Sequence, residues 1–128
     1  MINMRVAIPT IGNRKLTNRV ADTFSRAPTF TIITLEEGEI KNVKVIENPG
    51  STLEKGAGPF AARTLKDHQI DVLISGEIGP GAKNILEVFN IEIHEAQIGK
   101  KVKETIEGWK KTRTPTDLKV LPRPSLSP

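Results

Sequence analysis

The chain contains no cysteine, and only 4% of its residues are aromatic. Without cysteine it can form neither a disulfide nor a thiolate metal site, and it has no cysteine nucleophile. No run of about 18 apolar residues is present, so a membrane-spanning helix is not expected. Residues 1–5 lead directly into a strand-like segment rather than a signal peptide. We therefore expect a cytoplasmic protein that does not contact a membrane.

Positive charge is concentrated at one end of the sequence. The net charge is +4, and residues 99–128 carry eight Lys or Arg against three Asp or Glu, a net +5, whereas the other residues carry eleven against twelve, a net −1. This distribution is typical of a solvated helix face followed by a basic tail. The alternative is a module that binds nucleic acid or an anionic metabolite through this region. Because only four Phe and one Trp are present, stacking on single-stranded nucleic acid is not expected.

One short motif occurs twice in the sequence. Gly58–Leu65 and Gly79–Leu86 both fit Gly-Pro-x-Ala-x-x-x-Leu, with the apolar run Ile70–Ile74 between them. Gly followed by Pro before an apolar helical pattern indicates a helix start, and the short apolar run predicts a buried strand. The first N–H groups of a helix are unpaired and electropositive, so each start is a candidate anion site. Ordinary helix starts and close helix packing would also explain these glycines.

The remaining pattern predicts a single α/β domain with a mixed five-stranded sheet. Hairpin-forming strands in the first half and two crossover units in the second give the strand order 3-2-1-4-5. Pro9 is expected to end the first strand, and Gly38 is expected to form a hairpin turn. The predicted strands are 4–8, 29–35, 40–47, 70–74 and 91–94, and the predicted helices begin near 58, 79 and 99, the last ending near 109. The domain is thus 1–109, followed by a Pro/Lys-rich tail, 110–128, that we expect to be extended or disordered.

Catalytic and metal-binding motifs are missing from the sequence. It contains no Gly-x-Ser-x-Gly, no Walker sequence and no His-Glu-x-x-His. The only two histidines are His68, expected at the end of a helix, and His94, expected at the end of a strand, and two separated histidines do not form a metal site. We therefore predict a protein that is not an enzyme and has no metal-ligating side chains.

Four motifs carry a resemblance to a known family: Phe24-Ser25-Arg26-Ala27-Pro28, Val45-Ile46-Glu47-Asn48-Pro49, Gly56-Ala57-Gly58-Pro59 and Ile78-Gly79-Pro80. Over about residues 4–108 the chain resembles the dinitrogenase iron-molybdenum cofactor biosynthesis proteins. The resemblance implies a three-layer ribonuclease-H-like fold with helices on both faces of the sheet. It also implies a carrier of an iron-sulfur or iron-molybdenum type cofactor or its precursor, related to nitrogen fixation, with cofactor-assembly proteins as partners.

The chain departs from the family pattern at two positions. Where family members commonly have His before Phe, this chain has Thr23, and where they have Gly before Arg-Ala-Pro it has Ser25. The edge of the sheet where a ligand is expected, which we call the rim, therefore lacks the imidazole that would be expected to touch a metal cluster. A nuclease of ribonuclease-H-like fold would need carboxylates on its central strands, and residues 5–8 have none.

Ligands of open α/β sheets bind outside the carboxyl ends of the parallel strands. We expect the loop after the first strand and the glycine turns to meet there and to hold an anionic cofactor or metabolite. Arg26 is either an anion clamp or a surface partner of Glu47 or Glu77. The candidate cofactor-binding residues are Thr10, Thr23, Ser25, Arg26, Gly56, Gly58, Gly76, Gly79 and Gly81.

Overall fold

The strands and helices occur in the predicted order, with three strands before the first α-helix. The computed structural model describes residues 3–112. Its strands are β1 (Asn3–Thr10), β2 (Thr29–Glu36), β3 (Glu39–Glu47), β4 (Val72–Ser75) and β5 (Glu92–Glu95), and its helices are α1 (Ala57–Asp67), α2 (Pro80–Val88) and α3 (Val102–Lys111). A short 3-10 helix, Lys15–Thr17, lies in the loop after β1.

The five strands form one mixed sheet in the order β3-β2-β1-β4-β5, which confirms the predicted strand order. β2 is antiparallel to both β1 and β3, whereas β4 is parallel to both β1 and β5. The β2–β3 connection is a two-residue turn in which Glu37 and Gly38 both have positive φ, as a type I′ hairpin requires. The prediction for Gly38 is therefore confirmed.

The prediction that Pro9 ends the first strand is wrong. Pro9 is buried within β1, opposite Phe30 of β2. Its carbonyl oxygen accepts a hydrogen bond from the amide of Ala21, 2.9 Å away in the following loop, and not from β2. In an extended strand the N–H and C=O of one residue point in the same direction. The amide hydrogen that proline lacks would therefore point towards that loop, so no β1–β2 hydrogen bond is lost.

Two apolar clusters cover the two faces of the sheet and give the protein three layers. On one face, α1 and α2 pack over Ala7, Phe30 and Leu73. On the other face, α3 packs over Val6, Ile8 and Ile74. β1 and β4, which pair in parallel inside the sheet, are thus buried on both faces over most of their length, as their nearly continuous apolar sequences predict.

Two helix boundaries differ from the sequence-based prediction. α1 begins at Ala57, one residue before the Gly58-Pro59 pair, and α3 begins at Val102 rather than near Gly99. Gly99 has a φ of +84°, which an α-helix cannot contain. α3 continues to Lys111, so the first residues of the predicted tail are helical. The rest of that tail, from 113 to 128, lies outside the described residues.

Candidate functional site

The candidate site lies at the carboxyl end of β4, where the loop after β1 meets the turn before α2. Thr23 forms an isolated parallel bridge with Glu77, and the amide of Phe24 donates to the Glu77 carbonyl oxygen over 3.0 Å. In return, the amide of Glu77 donates to the carbonyl oxygen of Asp22. Because backbone hydrogen bonds fix these two segments side by side, Thr23 and Ser25 lie next to the turn that leads into α2.

The starts of α1 and α2 converge on this place. A Cβ added to Gly58 in α1 would lie only 3.1 Å from the Cβ of Ala82 in α2 and 3.9 Å from the Cβ of Ser25. Neither helix has an acidic residue in its first turn, and no side chain among residues 3–112 hydrogen-bonds to either helix cap. The first N–H groups of a helix have no partner within it and carry partial positive charge. Two electropositive helix ends therefore face the same rim.

The five glycines predicted for the site fall into two groups. Gly56 has a φ of +75°, and Gly58 and Gly76 are required by close packing, since a Cβ at Gly76 would lie 2.9 Å from the carbonyl oxygen of Asp22. Gly79 and Gly81 are exposed, and a Cβ at either would contact nothing within 4 Å. A ligand can therefore approach the backbone closely at Gly79 and Gly81, whereas Gly76 is covered by the neighbouring loop.

Thr10 does not face the open rim. It is the last residue of β1 and is completely buried, and its hydroxyl lies 2.7 Å from that of Thr29 and 3.0 Å from that of Thr31. The Thr29 hydroxyl in turn donates to the carbonyl oxygen of Gly12, 2.6 Å away. This hydroxyl network ties the start of the loop to β2, so a ligand could reach the Thr10 side chain only by breaking it.

Arg26 contacts backbone carbonyls rather than any of the partners considered from the sequence. Its guanidinium donates to the carbonyl oxygens of Ser51 (3.1 Å), Leu53 and Glu54 (3.5 Å). Neither Glu47 nor Glu77 pairs with it among the described contacts. Because these carbonyls belong to the segment before α1, Arg26 positions the approach to that helix start.

The side chain of Asn48 joins the two loops that flank the rim, a role that the sequence-based prediction missed. It is 3% exposed, and its Nδ2 donates to the carbonyl oxygens of Ser25 (3.0 Å) and Ala27 (2.9 Å). Its Oδ1 accepts from the amide of Gly50 over 3.0 Å. The sequence signal was the Asn-Pro-Gly turn after β3, because asparagine commonly bonds to the backbone at such turns.

Ser75 is a second residue that the prediction missed. It ends β4 directly before Gly76 and is 1% exposed. Its hydroxyl has no hydrogen-bond partner within residues 3–112. An unpaired buried hydroxyl is costly, and this one borders the groove beside the site. The only sequence signal was a hydroxyl residue directly after an apolar strand.

A groove of about 800 Å³ runs from Ser75 along α2 and β5. Its apolar lining consists of Ile78, Ile91, Ile93, Ala96 and Ile98, and its acidic lining of Glu77, Glu87, Glu92 and Glu95. Lys83 and His94 are its basic residues. Four carboxylates against one lysine make this wall unfavourable for an anion, so the electropositive part of the rim ends at the start of α2.

Neither histidine belongs to a group of potential metal ligands within the part of the chain that the structure describes. His68 is the C-terminal cap of α1, as the sequence predicted, and its Nδ1 lies 2.9 Å from the carbonyl oxygen of Thr64. His94 lies in β5, and its Nε2 donates a hydrogen bond to Oε2 of Glu92. Burial lowers the pKa of His94 from its ordinary value of 6.5. Within residues 3–112, no three His, Asp or Glu side chains are grouped so that they could hold a metal ion.

Helices in the described part of the chain are all too short or too polar to span a bilayer.

Comparison with known proteins gives one family. A family model described as "Dinitrogenase iron-molybdenum cofactor" matches residues 4–112. An uncharacterised protein of Methanocaldococcus jannaschii, MJ0580, is 32% identical over 93 residues, which cover 73% of this chain and 75% of that protein.

Two solved structures are similar over most of both chains. The apo form of the orange protein from Desulfovibrio gigas superposes with a TM-score of 0.78 and 25% identity, covering 85% of this chain and 88% of that one. A Thermotoga protein described as a NifB candidate superposes with a TM-score of 0.71 and 32% identity, covering 86% and 90%.

Proposed function

Because the chain belongs to the dinitrogenase iron-molybdenum cofactor family, we propose that it is a non-enzymatic carrier of an anionic iron-molybdenum or iron-sulfur type cofactor or its precursor. The observation that supports this most directly is the family match, which spans residues 4–112 and thus nearly every residue that the structure describes. The structural relative from Desulfovibrio gigas is described as an apo form, which implies that it also has a bound form.

In this proposal, hydrogen bonds rather than protein–metal bonds hold the cofactor. The chain has no cysteine, and Thr23 stands where the family commonly has histidine. The candidate donors are the backbone N–H groups that follow Pro80 in the first turn of α2 and the hydroxyls of Thr23 and Ser25. Sulfide or oxygen atoms of an anionic cluster accept such bonds, and the dipole of the helix adds to the attraction.

The cofactor would contact the site at Gly79 and Gly81, where the backbone is open. Gly56, Gly58 and Arg26 would act indirectly, because they fix the start of α1 and the segment before it. The buried hydroxyl of Ser75 borders the acidic groove beside the site and would be available there for a water molecule. The acidic groove beside α2 would keep an anionic cofactor on the side of Thr23 and Ser25.

A carrier needs no catalytic group. We further propose that the chain acts in the cytoplasm, that cofactor-assembly proteins deliver and receive the cluster, and that the ribonuclease-H-like label applies to its sheet.

Anaerobic gel filtration with isolated iron-molybdenum cofactor tests the proposal. We expect visible absorbance of the cofactor to elute with the wild-type chain at micromolar protein. In Gly81→Val, a branched side chain would shield the first N–H groups of α2, and co-elution should be lost. Gly108→Val is the matched control, because Gly108 is also an exposed helical glycine at which a Cβ would meet nothing within 4 Å.

Absence of absorbance in the wild-type fraction would refute the carrier function. Retention of the cofactor by Gly81→Val at the wild-type level would instead refute the proposed location. The basic-tail alternative predicts a different pattern, namely binding of nucleic acid that weakens steeply with salt and disappears when the chain is cut after Trp109.

A further inference from the structure

A cavity of about 540 Å³ lies in the loop after β1, on the α3 side of the sheet. Three cationic side chains line it, those of Arg14, Arg19 and Lys101. Its other lining residues are Ile11, Gly12, Asn13, Thr17 and Asn18, so the described residues around it include no carboxylate. A concave surface with three positive charges and no compensating negative charge attracts anions.

The backbone places two of these cationic residues opposite each other. Arg19 and Lys101 are partners in an isolated antiparallel bridge. Directly opposed residues of such a pair have Cβ atoms about 4.5–5.5 Å apart on the same side, and like charges placed there destabilise the pairing. Both side chains line the same cavity. The repulsion between them would be relieved by an anion bound between the two.

The position of Lys101 adds to the unbalanced charge. It is the N-cap residue of α3, where the helix dipole favours a negative rather than a positive group. Glu104 in the first turn accepts a hydrogen bond from the amide of Lys101, but at 3.4 Å this contact is long. A lysine at this cap therefore adds positive charge to an end of the helix that is already electropositive.

The walls of the cavity are held in place by hydrogen bonds around Asn18, which is 3% exposed. Its side-chain Nδ2 donates to the carbonyl oxygen of Gly12 over 2.6 Å. Its backbone carbonyl oxygen accepts a hydrogen bond from the amide of Val102 over 2.9 Å. The Arg19 guanidinium donates to the carbonyl oxygen of Gly99 over 3.0 Å. Since these bonds join the loop to the segment before α3, the three cations are carried by a preformed frame.

From these observations we propose that the cavity is a binding site for a small multivalent oxoanion, such as a phosphoryl group. Bidentate arginine forks match the geometry of such groups. The three charges surround one concave space rather than forming a stripe along the surface, which favours a small ligand over a nucleic-acid backbone. The proposal is independent of the carrier function, because the proposed cluster contacts lie at the start of α2 and share no residue with this cavity.

Titration of the full chain with inorganic pyrophosphate at constant ionic strength tests the site. We expect saturable amide shifts at Gly12, Asn13 and Lys101 in two-dimensional NMR spectra. Arg19→Gln and Lys101→Gln should each weaken binding about three- to tenfold, the loss of a charged hydrogen-bonding partner. Lys103→Gln removes the same charge from an exposed position in the same helix that does not line the cavity, so it should change affinity less than twofold.

Thermal unfolding supplies a second readout that a purely structural lysine would not give. Without pyrophosphate and at low salt, Lys101→Gln should unfold at a higher temperature than the wild type, because the repulsion with Arg19 is removed. With saturating pyrophosphate the order should reverse. The proposal would be overturned if the amide shifts never saturate, if Lys103→Gln and Lys101→Gln have equal effects, or if pyrophosphate leaves the order of unfolding temperatures unchanged. It would also be overturned if duplex DNA binds more tightly than pyrophosphate and is not displaced by it.

Discussion

Asn48 offers the most direct test of how the rim is assembled. Its side chain makes three hydrogen bonds with backbone groups, two as donor to Ser25 and Ala27 and one as acceptor from Gly50. A typical intramolecular hydrogen bond contributes about 1 kcal/mol net, and a buried group left unpaired costs about 1–3 kcal/mol. In Asn48→Ala, water entering the vacated space would satisfy part of the exposed backbone. We therefore expect a loss of about 2–4 kcal/mol in the free energy of unfolding.

Asn48→Asp separates hydrogen bonding from side-chain volume. Aspartate keeps the shape of the side chain and the acceptor for Gly50, but it replaces both donors with a carboxylate oxygen that repels two carbonyl oxygens. At neutral pH the loss should be at least as large as in Asn48→Ala. Urea unfolding monitored by far-UV circular dichroism measures both values, and the slope m should stay unchanged if only stability is affected.

The matched control is Asn42→Ala, an exposed asparagine of β3, which should change stability by less than about 0.5 kcal/mol. The reasoning fails if Asn48→Asp remains within about 0.5 kcal/mol of the wild type, because the two donated bonds would then contribute nothing.

Two further predictions concern Gly58 and His94. Gly58→Val places a branched side chain against Ala82, whose Cβ would already lie 3.1 Å from the first added carbon. Urea unfolding should therefore show a loss of about 1–3 kcal/mol in the free energy of unfolding, because the contact is overpacked. A variant as stable as the wild type would mean that the two helix starts do not touch. Burial lowers the pKa of His94. Just below pH 6.5 the folded chain therefore binds fewer protons than the unfolded chain, so its free energy of unfolding should fall as pH decreases through that value. An NMR titration of His94 with a midpoint above 6.5 would show instead that the neighbouring Glu92 carboxylate outweighs desolvation.

The architecture was predictable from sequence because its signals are local and repeated. Two Gly-Pro helix starts with a short apolar run between them predict crossover units, and such units are almost always right-handed. The positive φ of Gly38 follows from a two-residue hairpin turn. The apolar spacing of Val102, Ile106 and Trp109 predicts the buried face of α3, and all three side chains are buried.

The errors arise where distant segments decide the outcome. Pro9 lies within a strand because its missing N–H would face Ala21, a residue twelve positions away whose placement no local pattern reveals. Thr10 lies at the end of β1, where two threonines of β2 cover its hydroxyl, and its role in ligand binding stays a prediction. A similar limit applies to Arg26, whose partners are backbone carbonyls and therefore leave no trace in the identity of the side chains around it.

The candidate site was only partly predictable for the same reason. That the loop containing Thr23 meets the turn after β4, at Glu77, agrees with the rule that ligand sites lie at the carboxyl ends of parallel strands. Which glycines are open is a matter of what packs on them, and only the fold shows that Gly76 is covered while Gly81 is exposed.

The charges around the rim restrict how an anionic cofactor could lie there. On the β5 side, four glutamates line the groove next to α2. In the loop after β1, which bridges to Glu77 through Thr23, the cavity with Arg14, Arg19 and Lys101 has no carboxylate among its described lining residues. A net negative ligand at the start of α2 is therefore repelled from one side and attracted towards the other. Its orientation should consequently place the most negative atoms towards the loop after β1, and high salt should weaken this preference because exposed charges are screened over about 10 Å at 0.1 M.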